Sequence, residues 1–466
     1  MRREIDGRRA APLLFAAIVA LLYGMTLRSP FVYDDRGLAA MSLAGRSGGE
    51  TARALVSRRY FALTGERTYQ PMVTALHHWV ASPAPLRALG WLLHAVNASL
   101  VFSIGLALGL EEGAAALAAA LFLAFPLQTE AVNISSFKGH LLAAAFGLAG
   151  LRLWLAADRR GEGGGSRRAG AVALLALSLA SKETGVVFLA LAAASSFAFG
   201  PRLARRELGR RLAGLAALGG AYLAWRFVWL LPPASLPESF ARPTAASFAW
   251  YLSRLVVPWP ACLEHTLSWT PWTAAALAAF VAGCWAARRD RRALFCLAWI
   301  VIALLPYLHL VRFANFSPVA DRYLYVPVAG FALLAAGLAR RQEARLVLAV
   351  VVAAWGALTA VRNGLYREPL ALYSQTVECA PRNPRAHYLF ALARYEIGDF
   401  LGAADESEAS LELKDSGKVR TLLGDSLRGL GQDRMAAREF ERARLLLPDW
   451  DAQYPDESRF LGAARR

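Results

Sequence analysis

The chain of 466 residues is 56% hydrophobic and carries 52 Lys and Arg against 35 Asp and Glu, a formal net charge of +17, with a mean hydropathy of +0.35. That is too apolar for an ordinary soluble protein of this length. The basic excess does not point to nucleic acid, because its Arg clusters fall in short gaps between apolar stretches, the positive-inside pattern of a polytopic membrane protein.

In chain order, Arg2-Arg3 and Arg8-Arg9 precede an apolar run at 10–27. The run is long enough to cross a bilayer and no clear A-x-A site follows it, so it reads as an uncleaved signal anchor. At about 20 apolar residues per crossing, spans are expected near 10–28, 87–109, 113–127, 138–156, 170–182, 184–199, 212–232, 270–287, 293–309, 323–339 and 346–361. The expected fold is all-α, a polytopic domain of about eleven transmembrane helices over 1–362. With the N-terminus inside, the inner loops at 158–168, 202–211, 288–292 and 340–345 are all Arg-rich. The turn Glu111-Glu112 is the exception. The outside receives the first loop at 29–86, the loop 128–137, the tip 181–185, the segment 233–269, the loop 310–322 and everything after about 362.

Segment 248–262 is apolar but holds Pro258 and Pro260, and an interfacial or re-entrant helix there preserves the parity. Cys262, Cys284, Cys296 and Cys379 show no C-x-x-C spacing and three lie in or beside apolar segments, so neither a zinc site nor a disulfide framework is expected. After a linker or packing helix at 363–383, residues 384–466 turn charged and repetitive. Gly398 and Gly431, and Ala403 and Ala436, stand 33 residues apart. Gly424, Ala436, Phe440, Ala443 and Pro448 fall at tetratricopeptide positions, giving repeats at about 384–416 and 417–450. The first is degenerate, with Ser407 and Ser410 at expected apolar positions.

The chemistry sits in the outer loops. The first opens Tyr33-Asp34-Asp35-Arg36, two adjacent carboxylates at the membrane surface, suited to a general base or to holding a cation. The second carries Glu130 and leads into Lys138-Gly139-His140. The third tip, Ser181-Lys182-Glu183-Thr184-Gly185, lies between short apolar runs. A charge near the bilayer centre costs about 2.5–3.5 kcal/mol, so such groups usually face a cavity. The chain has only four Lys, and Lys138 and Lys182 both stand at outer tips. Arg322, at the mouth of a span, presents fixed donors suited to a phosphate. His94 and Asn97 lie within the second span, where an interhelical hydrogen bond competes with a ligand role. Together these carboxylates and cations could take a proton from an acceptor hydroxyl as it attacks a sugar C1, while Lys138, Lys182 and Arg322 bind the departing phosphate. Asp34, Asp35 and Glu130 could instead hold a divalent cation (Mg or Mn).

The order Tyr-Asp-Asp-Arg, Tyr69-Gln70-Pro71-Met72, Leu93-His94-Ala95-Val96-Asn97, Phe125-Pro126…Thr129-Glu130-Ala131-Val132, Ser181-Lys182-Glu183-Thr184-Gly185, Leu305-Pro306 and Asp321-Arg322-Tyr323-Leu324-Tyr325-Val326-Pro327 is similar to the transmembrane and tetratricopeptide repeat-containing proteins over nearly the whole chain. The resemblance implies a GT-C type, inverting glycosyltransferase related to protein O-mannosyltransferases. Its donor would be a polyprenyl- or dolichyl-phosphate sugar, with mannose the expected sugar. It places Asp34-Asp35 at the base position and Glu130 as the second-loop acid, with Lys138, Lys182, Glu183, Arg322, His94 and Asn97 around lipid phosphate and sugar. Gln70 stands for a more usual Arg, Gln128 for His, Lys138 for Arg and Asp321 for Glu.

The reading is therefore an outer-face glycosyltransferase whose repeats dock a protein acceptor through Ser or Thr, with membrane lipids as its surroundings. A polymerase or ligase of lipid-linked glycans and a non-enzymatic repeat scaffold are the alternatives. Which of the two acids is the base stays open in the sequence, with a slight preference for Asp35, nearer Arg36. The Arg-rich, Lys-poor composition suggests a bacterial inner membrane with periplasmic or extracellular repeats, the endoplasmic reticulum membrane being the alternative.

Overall fold

A computed structural model describes residues 7–35, 47–56, 70–80, 82–159, 164–201, 205–225, 244–308 and 319–464. Arg36, Tyr69, most of the first outer loop and much of the segments 233–269 and 310–322 lie outside the described residues. The described chain is helical throughout, with no strand among these residues. It divides into two compact units, one ending its last stretch at Arg367, the other made of Cys262–Leu267, Ser317–Ala320 and the chain from Glu368 onward.

In the first unit the helices are α1 (Gly7–Tyr23), α2 (Gly48–Val56), α3 (Pro71–Trp79), α4 (Pro83–Ala107), α5 (Glu112–Ala124), α6 (Gln128–Asn133), α7 (Lys138–Asp158), α8 (Gly165–Ser181), α9 (Val186–Phe199), α10 (Arg205–Trp225), α11 (Thr244–Val256), α12 (Pro271–Ala286), α13 (Arg291–Leu304), α14 (Tyr325–Leu338) and α15 (Gln342–Leu365). Each expected span overlaps a helix among the described residues, though residues 226–232 of the span expected at 212–232 lie outside them. Three stretches, Pro83–Ala107, Ser135–Asp158 and Gln342–Leu365, are long and apolar enough to cross a membrane, and Ala10–Thr26, Glu112–Ala124 and Glu183–Phe199 are shorter apolar helices. On α15, Leu346, Val347, Val350 and Val361 are exposed, an apolar face of the kind that meets lipid rather than water. The apolar segment at 248–262 is helical only as α11, which stops two residues short of Pro258, as the clash of a proline with a preceding helical residue requires.

Proline at the first turn starts α3, α4 and α12, and side chains cap others: Thr270 and Thr273 form a reciprocal box on α12, and Asp290 accepts the Arg292 and Ala293 amides of α13. Small residues let the helices close. A Cβ on Gly147 would overlap the Phe188 ring, one on Gly105 would press on Ala115 and Leu333, and one on Gly330 would meet Trp299. Apolar side chains gain little by leaving lipid for one another, so this close packing holds such bundles.

The two ends of the bundle differ. At one end Arg345 pairs with Glu111 at 2.6 Å and Arg340 with Asp290 at 3.0 Å, and Arg159 donates to the Ala107 carbonyl. These come from the segments expected inside, and Arg345 explains the acidic turn that broke the charge pattern. The other end gathers 33–35, 128–138, 181–185 and 321–324.

The second unit holds α16 (Pro369–Cys379), α17 (Pro384–Glu396), α18 (Phe400–Leu413), α19 (Gly417–Gly429), α20 (Asp433–Leu446), α21 (Trp450–Gln453) and α22 (Pro455–Ala464). The hairpins α17–α18 and α19–α20 turn at Gly398 (φ +81°) and Gly431 (φ +74°), left-handed positions where a side chain is strained. Ser407 and Ser410 are buried, their hydroxyls on the Ala403 and Pro384 carbonyls at 2.7 Å each. Leu427, Ala436 and Phe440 of the second hairpin form a core with Trp450 of α21, whose Nε1 donates to Thr421 Oγ1 at 2.8 Å.

One expectation about the cysteines is overturned. Cys262 and Cys379, 117 residues apart, form a disulfide, while Cys284 and Cys296 are free. No local spacing announces a bridge between residues that only folding brings together. Beside it Glu264, fully buried, meets Arg385 at 3.2 Å and accepts from Asn383 at 3.3 Å.

Candidate active site

The acid pair of the first loop is split. A turn at 32–35 is closed by the Asp35 amide on the Val32 carbonyl at 3.2 Å, with Tyr33 held at φ +59°. A left-handed tyrosine costs about 1–2 kcal/mol, strain of a kind that collects at functional loops. Beyond it Asp34 is exposed and Asp35 is 1% exposed. The Asp35 oxygens accept the Ser135 and Ser136 amides at 2.9 and 2.7 Å. Asp35 thus caps the turn that begins α7 from across the chain. Burial pushes its pKa up, against the two amides and the nearby Lys138 and Arg87. A carboxylate with both oxygens held by the backbone is a poor fit to the expected role of base.

Glu130 is fully buried on α6 and grips Arg322 twice: Oε1 accepts Nη1 at 2.6 Å and Oε2 accepts the Arg322 amide at 2.7 Å. Burial raises its pKa and Arg322 opposes the rise. The Arg322 guanidinium carbon lies 4.5 Å from the Phe137 ring centre, 4.8 Å from Tyr323 and 5.9 Å from Tyr33, an arrangement that adds cation–π attraction. Next to it Asp321 accepts from Arg362 of α15 at 3.2 Å. Two ion pairs on successive residues hold 321–322 against both α6 and α15.

Lys182 and Glu183 end α8 at the same place. Tyr307 stacks on Tyr323 at 4.0 Å, and Thr184 and Glu183 lie within electrostatic reach of the Tyr307 hydroxyl. Glu183 Oε2 is buried with no hydrogen-bond partner, and so is Nε2 of His140. The His140 ring lies 6.0 Å from Tyr323 and 6.2 Å from Phe137, within electrostatic reach of Lys182 and Arg322. The Glu130–Arg322 pair, Lys182, Glu183 and His140 therefore share one aromatic-walled region, and exposed Asp34 directly follows Tyr33 of that wall. His140 and Tyr307 carried no assigned role in the sequence. The lone signal for His140 was its place one turn into a span that opens with Lys138.

Other expected ligands stand apart. Lys138 is fully buried and donates to the Val132 and Ile134 carbonyls at 2.7 and 3.0 Å, bracing the end of α6 rather than facing a phosphate. His94 and Asn97 meet one hydroxyl, that of Tyr325, at 2.9 and 3.0 Å, and Asn97 also donates to the Leu141 carbonyl at 3.2 Å. Both are fully buried. They tie α4 to α14 and α7, the interhelical bond rather than the ligand role, because the apolar span leaves them no water to bond. Nor do the three acids fit a divalent cation: the oxygens of Asp35 and Glu130 are taken by N–H donors. Among the described residues no group of three or more His, Cys, Asp or Glu gathers as a metal set.

No family model matches the chain, and no solved structure matches it significantly. Among curated proteins it is similar to a protein O-mannosyl-transferase of Caenorhabditis elegans, 25% identical over 422 residues, covering 81% of this chain and 59% of the relative. It is also similar to human protein O-mannosyl-transferase TMTC4, 26% identical over 466 residues, covering 81% of this chain and 63% of the relative. The chain thus spans less than two thirds of the length of these curated relatives. At this low identity the two names support a likeness to the transmembrane and tetratricopeptide repeat-containing family.

Proposed function

We propose that the chain is a membrane glycosyltransferase moving a sugar, mannose by the names of its relatives, from a polyprenyl-phosphate donor to a protein hydroxyl. The observation that carries this is a clamped arginine with two unsatisfied buried polar atoms around it, and an exposed acid next in sequence to Tyr33 of the aromatic wall, at one end of an apolar bundle. In this reading Asp34, and not Asp35, removes the proton of the acceptor hydroxyl. The hydroxyl oxygen attacks C1 from the face opposite the phosphate, the C1–O bond breaks, and the lipid phosphate leaves with the electron pair, inverting the anomeric centre. Arg322 and Lys182 take up the charge that develops on the leaving oxygen. Glu183 Oε2 and His140 Nε2 supply hydrogen bonds to sugar hydroxyls, which would satisfy both atoms. Glu130 holds Arg322 in place, and Asp35 holds the loop.

About eleven crossings in a GT-C arrangement, with the site and the tetratricopeptide-like hairpins on the outer face, complete the proposal. The disulfide supports that side, since such bonds persist in oxidising compartments, and so does the segregation of Arg345, Arg340 and Arg159 at the opposite end. The hairpins would present the acceptor. The test is transfer from polyprenyl-phosphate mannose to glycoprotein acceptors in proteoliposomes, compared with Asp34→Asn. Loss of transfer in a folded variant is expected, and full transfer by Asp34→Asn sinks the assignment.

A further inference from the structure

Past the end of α1 the chain turns through Gly24–Thr26 and runs on as Leu27-Arg28-Ser29, while Arg367 stands two residues beyond the end of α15. Gly24, Met25, Leu27, Arg28, Ser29 and Arg367 line a cleft of about 400 Å³. Two guanidinium groups border it and no carboxylate does. Neither Arg28 nor Arg367 makes a side-chain hydrogen bond or ion pair with any described residue, and both are exposed. Ser29 is 3% exposed, and its hydroxyl is buried without a partner.

Each feature alone is unremarkable, but their combination has a physical cost. A buried hydroxyl without a partner forfeits about 1–3 kcal/mol, and two like charges bordering one cleft repel. A single anion seated between the arginines removes both penalties at once. The forked guanidinium matches the paired oxygens of a phosphate, and the serine hydroxyl supplies a third donor. The cleft also lies at the ends of two apolar helices, one of spanning length, with Met25 45% exposed on its wall. An anion at that depth is carried by a lipid.

We propose that Arg28, Arg367 and Ser29 form a binding site for the phosphodiester of a membrane-borne lipid, separate from the aromatic-walled region around Arg322. The inference rests on α1 and α15 lying in a membrane and not on the transfer reaction. The same phosphodiester chemistry has two sources, the headgroup of an anionic phospholipid and the phosphate of a polyprenyl-linked sugar.

The purified full chain in neutral detergent is titrated with fluorescent phosphatidylglycerol and, in parallel, with polyprenyl-phosphate mannose. Arg28→Gln and Arg367→Gln are each expected to weaken binding of one probe about tenfold, the double variant about a hundredfold, and Ser29→Ala severalfold. Arg28→Lys, which keeps the charge without the fork, is expected between parent and Arg28→Gln. The probe that loses affinity names the source, and loss with either supports the site. A double variant that elutes as a single species with the parent's thermal midpoint and binds both probes as the parent does overturns it. Should the double variant fail to fold, the single variants decide in the same way. Because binding is read without turnover, an inactive enzyme that keeps this binding separates failure of the transfer reading from failure of this one.

Discussion

Glu130 holds Arg322 by two different atoms, its side chain at 2.6 Å and its backbone amide at 2.7 Å. The first fixes the guanidinium and the second fixes the loop from which it projects. Glu130→Gln leaves a buried guanidinium without its counter-charge, a loss of about 3–5 kcal/mol where a buried pair is broken. The expected outcome is a lower thermal midpoint together with loss of transfer. Arg322→Lys keeps the charge and the backbone bond but not the fork, so it is expected to fold close to the parent while losing most activity. Transfer at parental rate by Arg322→Lys would remove Arg322 from the phosphate contact.

The two aspartates are expected to separate cleanly. Asp34→Asn removes a base from an exposed position, so kcat falls about 10²–10⁴-fold with the thermal midpoint unchanged. Asp35→Asn swaps one acceptor oxygen for an amide that faces an N–H donor, costing about 1–2 kcal/mol of stability. Its activity, measured at a temperature where it is folded, should stay within a few-fold of the parent. The reverse pattern would return the base to Asp35.

Tyr325 receives both His94 and Asn97. Tyr325→Phe leaves those two buried groups short of a partner and is expected to cost about 1–2 kcal/mol, read as a lower melting temperature in detergent. KM for the lipid donor should not change. A raised KM with unchanged melting would restore His94 and Asn97 as ligands.

Joining Cys262 to Cys379 closes a loop of over a hundred residues. Cys262→Ser or Cys379→Ser is therefore expected to destabilise the chain by about 2–4 kcal/mol, with the parent alone shifting mobility on reduction in a denaturing gel. Labelling of all four cysteines by maleimide in the parent, unreduced and unfolded, rather than of Cys284 and Cys296 alone, would count against the bond.

In the second unit burial pushes the Asp425 carboxyl up to about 7, helped by Glu457 and opposed by Arg428. Folding thus favours the protonated form, whereas the unfolded chain titrates near the ordinary value of about 4. Between these values the folded state binds more protons than the unfolded one, so stability falls as pH rises from about 4 to about 7 and is level above. Asp425→Asn is expected to flatten that slope and to stabilise at pH 8 by about 1–2 kcal/mol, a discounted figure because the side chain keeps some solvent. Thermal melts of the full chain at pH 5 and pH 8 measure it, and equal shifts at both values would contradict it.

The helices were legible because their signal is local. Runs such as 87–109 and 346–361 announce themselves by composition, and the Arg-rich gaps separate one end of the bundle from the other, so Glu111 and Arg345 already belonged to one side before their 2.6 Å contact was known. The left-handed turns at Gly398 and Gly431 follow equally from glycines spaced a repeat apart.

What the sequence determined by itself is a helical, apolar chain whose Arg-rich gaps stand apart from the segments that carry Asp34, Asp35, Glu130 and Glu183. Only the tertiary structure decided what each of them meets. It kept Asp34 at an exposed position and turned Asp35 into a cap, gave Lys138 to the Val132 and Ile134 carbonyls, drew His94 and Asn97 onto Tyr325, joined Cys262 to Cys379 and set His140 within electrostatic reach of Arg322. The reason is physical: hydropathy and charge add up along neighbouring residues, whereas the partner of a buried polar group is set by contacts as distant in sequence as the 192 residues between Glu130 and Arg322.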